Sequence, residues 1–181
     1  MIEEIGGYFW RREGISSVFL RYPAIYDLTD PDAILVRFMR ESYETTLALM
    51  ALPEPKLSAR VAGVIADFKR RARAREWEEG FDLSYPDAAV MFGMSNFWTS
   101  LDVRDAAQVA ETSLLADYAG SHAIYVTYPE NFVKLSSKRL AHTWFPQIPP
   151  DRVNVTGTAT LVSIDRARAL LGFEPKYPYV V

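Results

Sequence analysis

The chain has 181 residues, 49% of them hydrophobic and 13% aromatic, which is enough for one domain with a real core and argues against disorder. A net charge of −3 gives no broad attraction to nucleic acid or anionic lipid. With no cysteine, disulfides, thiolate nucleophiles and cysteine metal sites are excluded, which fits a cytoplasmic protein.

The opening MIEEIGGYFWRREG is acidic and lacks the apolar core of a signal peptide. No apolar run approaches the ~20 residues of a membrane helix. Residues 2–12 read as a helix with Ile2, Ile5, Tyr8 and Phe9 on one side, and Gly14 is placed to end it. ISSVFLRYPAIY, residues 15–26, has the β-branched and aromatic content of a buried strand, ended between Arg21 and Ala24 by Pro23.

After Asp27, Thr29 or Asp30 is expected to cap a helix with Pro31 in its first turn, running to about Met50, with Pro53 and Pro55 beyond. Residues 57–79 read as the next helix, with Val61, Val64, Ile65 and Phe68 on its inner face. The run KRRARAR within it suggests phosphate binding, but EWEE follows at once, so a solvated helix end with i,i+4 ion pairs is the better reading. FDLSYPDAAVMFGMSN, residues 81–96, reads as a loop with short structured pieces.

Residues 97–115 are FWTSLDVRDAAQVAETSLL, an aromatic strand that hands over to a helix reaching about Tyr118. Asp102 is placed to cap that helix, and Val103, Ala106, Ala107, Ala110 and Leu114 fall on one face. Thr99, Ser100 and Asp102 stand at the strand end, where α/β proteins bind their ligands. HAIYVTYP, residues 122–129, is a second buried strand, and residues 133–145 form a second helix of the same rhythm. FPQIPPDRVNVTG turns into a short edge strand. In SIDRARALLGFEPKY, Ser163 caps a closing helix packed through Ile164, Ala167, Leu170 and Leu171 and stopped by Gly172.

Little in the chain carries chemistry by itself. His122 and His142 have no metal-ligand spacing, no G-x-S-x-G elbow occurs, and the glycines form neither GxxxxGK nor GxGxxG. Asn154-Val155-Thr156 is a chance sequon, and the adjacent Glu78 and Glu79 point apart on a helix. No catalytic or metal-ligating residue is assigned.

Three segments nevertheless carry a resemblance. GISSVFLRYPAIYD is similar to an L-R-x-x-x-V-Y-G strand end through Leu20, Arg21, Ile25 and Tyr26. FWTSLDVRDAAQVAETSLL is similar to a V-D-V-R-D-V-A helix start through Leu101, Asp102, Val103, Arg104 and Asp105. LVSIDRARALLGFEPKY is similar to S-x-x-K-A-x-x-L-L-G-W-x-P through Ser163, Ala167, Leu170, Leu171, Gly172, Phe173 and Pro175. In that order they resemble the carboxyl-terminal half of the extended short-chain dehydrogenase/reductase family, the NAD-dependent epimerases and dehydratases of nucleotide sugars.

The resemblance implies an α/β fold over residues 1–181: the C-terminal part of a Rossmann-like doubly wound sheet, with few parallel strands and a mainly helical substrate-binding subdomain. It implies that Tyr22, Pro23 and Ala24 meet the nicotinamide of NAD or NADP, and that Thr99, Ser100 and Asp102 line the cleft for a nucleotide-sugar or sugar-acid ligand.

The departures are equally specific. No Y-x-x-x-K occurs among the ten tyrosines, Ala24 stands where many members carry asparagine, Asp27 replaces a glycine, and Asn96 sits where an arginine often meets phosphates. Without the tyrosine and lysine the family's hydride chemistry has no acid or base. Met1 is therefore expected to start inside a longer ancestral protein, the chain to bind no cofactor tightly alone, and an open strand edge to make it a homo-oligomer or the companion of a partner chain. The alternative is a non-enzymatic ligand-binding or assembly module derived from the family. Neither nucleic acid nor a membrane is an expected partner.

Overall fold

A computed structural model describes residues 2–76 and 87–179. The architecture is α/β, with short parallel strands and seven α-helices among the described residues. Helix α1 (Ile2–Glu13) stops at Gly14, whose positive φ of 67° lets its N–H return to the Trp10 carbonyl. Strand β1 (Ser17–Arg21) follows and pairs in parallel with β4 (Ser121–Tyr125), Phe19 lying opposite Ala123. Pro23 ends β1, and the chain re-enters extended pairing as β2 (Ile25–Tyr26) beside β3 (Leu101–Asp102).

The β1–β4 sheet is covered on both faces. Gly6 of α1 lies so close to the sheet that a Cβ there would stand 2.4 Å from the Phe19 ring and 2.5 Å from Ser17 Oγ. On the opposite face Val18, Leu20 and Ile124 pack with Ala106 and Val109 of α5 (Val103–Leu115) and Ala167 and Leu171 of α7 (Asp165–Leu171). A second core joins α2 (Ile34–Met50), α3 (Lys56–Arg73), α4 (Ala88–Ser95) and α6 (Ser137–Trp144) around the buried Trp98 and Trp144. This helical part and the sheet part meet along residues 96–102, which carry the candidate site.

Several boundaries differ from the sequence reading. Helix α2 begins at Ile34, because the polar residues before it are spent on turns: Asp27 accepts from Thr29 N–H, and Asp30 accepts from Asp32 N–H. Helix α3 stops at Arg73, with Arg75 left-handed at φ 56°; the expected continuation over 77–79, including Glu78 and Glu79, lies outside the described residues. The expected loop over 81–96 contains α4, while 81–86 lie outside the described residues. The aromatic strand shrinks to Leu101–Asp102, since Phe97 and Trp98 both adopt left-handed φ, 53° and 51°.

Helix α5 ends at Leu115 rather than Tyr118, where Ala116 turns extended. Its inner face is also different: Asp105, Ala106 and Val109 are buried, whereas Val103 and Leu114 are exposed, Leu114 by 85%. Helix α6 starts at Ser137, capped by Ser136, because Lys134 is left-handed. The expected edge strand after the 145–157 turn is reduced to one bridge between Glu130 and Ala159. The cap position of the last helix falls on Ile164 rather than the expected Ser163, which sits one residue earlier and accepts from Asp165 N–H at 3.1 Å, and Gly172 closes the helix at φ 63°.

Candidate functional site

Parallel strands β1 and β4 both run out toward one side of the sheet, and a cavity of about 180 Å³ opens there. Tyr22 and Pro23 line it just past β1, and Tyr125 and Thr127 line it at the end of β4. The third wall is the turn after α4, through Asn96, Phe97 and Thr99. Two consecutive left-handed residues are costly for side chains with a Cβ, about 1–2 kcal/mol each. At Phe97 and Trp98 that conformation lets Asn96 and Thr99 clasp each other: Asn96 Nδ2 donates to the Thr99 carbonyl at 2.7 Å, and Thr99 Oγ1 donates to the Asn96 carbonyl at 2.6 Å. Trp98 is anchored under the turn, fully buried against Trp144.

The turn is stitched to β4 as well. The Ser100 carbonyl accepts from Thr127 Oγ1 at 3.0 Å and from Tyr128 N–H at 2.8 Å. Arg21 closes one side, held by a bidentate pair to Glu3 at 2.8 and 2.6 Å and stacked 5.1 Å from the Tyr125 ring centroid. That pairing raises the Arg21 pKa and lowers that of Glu3, so both stay charged at neutral pH. The Tyr22 hydroxyl donates to the Ala106 carbonyl at 3.3 Å, and burial pushes its pKa up.

Of the six sequence-predicted site residues, the cavity brings together Tyr22, Pro23 and Thr99. Ala24 does not line it; its carbonyl accepts from Leu101 N–H and so joins β2 to β3. Ser100 is buried, with a hydroxyl that faces Tyr26 and closes no hydrogen bond of normal geometry. Asp102 is fully buried and committed to Arg104, accepting from its backbone N–H at 2.9 Å and its Nε at 2.7 Å. It is a cap and an ion-pair partner, as α5 requires, and has no surface left for a ligand.

Sequence reasoning missed Thr127 and Tyr125. The strand-end rule that picked out Tyr22 applies equally to β4 and would have found them.

A second cavity of about 520 Å³ adjoins the first, since Val162 lines both. Its walls carry Arg152, Thr156, Thr160 and Ser163, with Arg168 held by Glu174 and Asp165. Among the described residues Arg152 forms no ion pair.

The histidines lie apart from both cavities: His122 Nε2 meets the Ala119 carbonyl at 2.8 Å, and His142 is exposed on α6. Among the described residues no group of three His, Asp or Glu side chains could hold a metal ion, and no helix is long and apolar enough to cross a membrane. No family model, curated protein or solved structure matches the chain.

Proposed function

We propose that the chain is the substrate-binding part of an NAD(P)-dependent nucleotide-sugar epimerase/dehydratase-like protein, Rossmann-like in its sheet. By itself it holds its ligand without turning it over. The observation that carries the reading is the cavity at the carboxyl ends of β1 and β4, continued across Val162 by the larger one beside residues 152–168. At about 180 Å³ the inner cavity is below the ~300–1,000 Å³ of sites for drug-sized ligands, so it suits one sugar ring rather than a whole nucleotide sugar. The half-buried amide of Asn96 keeps one N–H beyond its bond to the Thr99 carbonyl, and the Thr127 hydroxyl, whose proton goes to the Ser100 carbonyl, keeps acceptor capacity, a neutral pair suited to sugar hydroxyls. The outer cavity, with the guanidinium of Arg152 in no ion pair among the described residues, suits the diphosphate end.

Turnover is not part of the proposal because the sequence has neither a Y-x-x-x-K pair nor a glycine-rich dinucleotide loop. The reading as a pure binding or assembly module is favoured by one observation, the outer edge of β1, which pairs with nothing among the described residues and which the same account takes to be covered by another chain.

Isothermal calorimetry with UDP-glucose tests the proposal. Binding is expected, weakened by Tyr22→Ala and by Arg152→Ala and unaffected by Ile34→Ala on the far exposed face of α2. NAD alone should give no comparable heat. Absence of UDP-glucose binding, or binding indifferent to both cavity variants, contradicts it.

A further inference from the structure

The sheet presents an edge that is built to pair. Ser17 N–H donates to the Gly120 carbonyl and Val126 N–H donates to the Arg21 carbonyl, which fixes the parity of the parallel ladder. Residues 17, 19 and 21 bond to β4, so Val18 and Leu20 direct their N–H and C=O groups the other way. Among the described residues nothing meets those groups. The outer edge of β4, by contrast, is engaged by Arg166, which donates to the Ala123 carbonyl at 3.4 Å.

Helix α1 is exposed on the same side. Gly6 faces the sheet, and one flank, through Glu4, Gly7 and Arg11, forms a groove with Gly120–His122 at the start of β4. At 100° per residue the opposite flank is Ile2, Ile5 and Phe9, which are 71%, 49% and 44% exposed. An apolar flank therefore overhangs an unpaired strand edge.

We infer that a second copy of this chain occupies that edge, pairing β1 antiparallel with its own β1 about a two-fold axis through Phe19. Rotation about an axis normal to the sheet puts Val18 opposite the copy's Leu20 and Leu20 opposite its Val18, so each outward N–H meets an outward C=O. The same rotation leaves both α1 helices on one face, antiparallel.

Helix α1 rests on both β1 and β4, so its axis sits near the midline of the pair. The two midlines are then two strand spacings apart, about 10 Å, which is the packing distance of helices. Antiparallel α1 helices also set the amino end of one beside the carboxyl end of the other, so that their dipoles oppose favourably. One operation thus satisfies the strand edge and the apolar flank. The inference extends the open-edge part of the reading above and does not depend on the ligand.

Sedimentation velocity at micromolar concentration tests it. The wild-type chain is expected to run at twice its 20.5 kDa mass. Val18→Pro removes an N–H that the single chain does not use and is tolerated on an edge strand. It should raise the dimer dissociation constant by about ten-fold or more, the result of losing a hydrogen bond on each side of the axis.

Ile5→Glu, on the α1 flank, should weaken the dimer likewise and decides the matter if Val18→Pro fails to fold. In the wild-type dimer the amides of Val18 and Leu20 should be protected from hydrogen exchange. A wild-type monomer overturns the inference and leaves the edge to a different chain, as does a dimer that survives Ile5→Glu with Val18 and Leu20 unprotected. UDP-glucose calorimetry is read separately, so failure of ligand binding and failure of dimerisation are distinguishable.

Discussion

The buried carboxylate of Asp105 clamps the C-terminal segment by accepting the backbone N–H of Lys176 at 2.9 Å, and its second oxygen takes the N–H of Tyr177 at 3.0 Å. This clamp holds the C-terminal segment against α5, whose Arg104 guanidinium stacks 3.6 Å from the Tyr177 ring centroid. Asp105→Ala would strand two N–H groups and should lower stability by about 3 kcal/mol, with Asp105→Asn costing less because one acceptor oxygen remains. Urea unfolding of the two variants checks the order.

The two glycines of α1 should respond in opposite directions. Gly6→Ala drives a methyl group into the Phe19 ring and should cost about 1–3 kcal/mol. Gly7→Ala meets only the flexible Arg11 guanidinium, at 3.3 Å, and should gain up to about 1 kcal/mol from helix propensity. Thermal melts of both separate close packing from a general intolerance of α1.

Glu130 gives a signed pH dependence. Lys134, with help from Thr158, holds its carboxyl below the usual 4.5. A depressed folded-state pKa contributes stability that is complete above the unfolded value and is lost as pH falls through the folded one. The urea midpoint should therefore fall in acid below about pH 4.5, and Glu130→Gln should make that fall shallower. A wild-type slope unchanged in the variant would contradict this.

Two arginines of the basic run at the end of α3 are held in ion pairs within the same segment. Asp67 pairs with Arg70 at 2.7 Å and with Arg71 at 2.8 Å, and Glu76 pairs with both. Fluorescence anisotropy with a single-stranded oligonucleotide should show no saturable binding at physiological salt. Affinity falling steeply with salt would contradict this prediction.

Features set by neighbours in sequence were legible in it: Gly14 and Gly172 as helix stops, Asp102 as a cap, and the inner face of α3 through Val61 and Val64. What was not legible depends on distant partners. The inward face of α5 was misread because its buried carboxylate, Asp105, is repaid by N–H groups some 71 residues away, and apolar periodicity has no sign for that.

The left-handed pair Phe97 and Trp98 was hidden for a similar reason. No glycine marks it, and the conformation is enforced by burial of Trp98 against Trp144. The site was half legible: Tyr22, Pro23 and Thr99 reach the cavity, while Ser100 and Asp102 are taken inside by the polar needs of β3 and α5.

The most direct measurement is a ¹H–¹⁵N titration of the labelled chain with UDP-glucose. The account predicts shifts concentrated at the amides of Tyr22, Asn96, Thr99 and Thr127, extending to Thr160 and Ser163 along the outer cavity. Spectra unchanged at saturating ligand, or shifts confined to surfaces away from these residues, would contradict it.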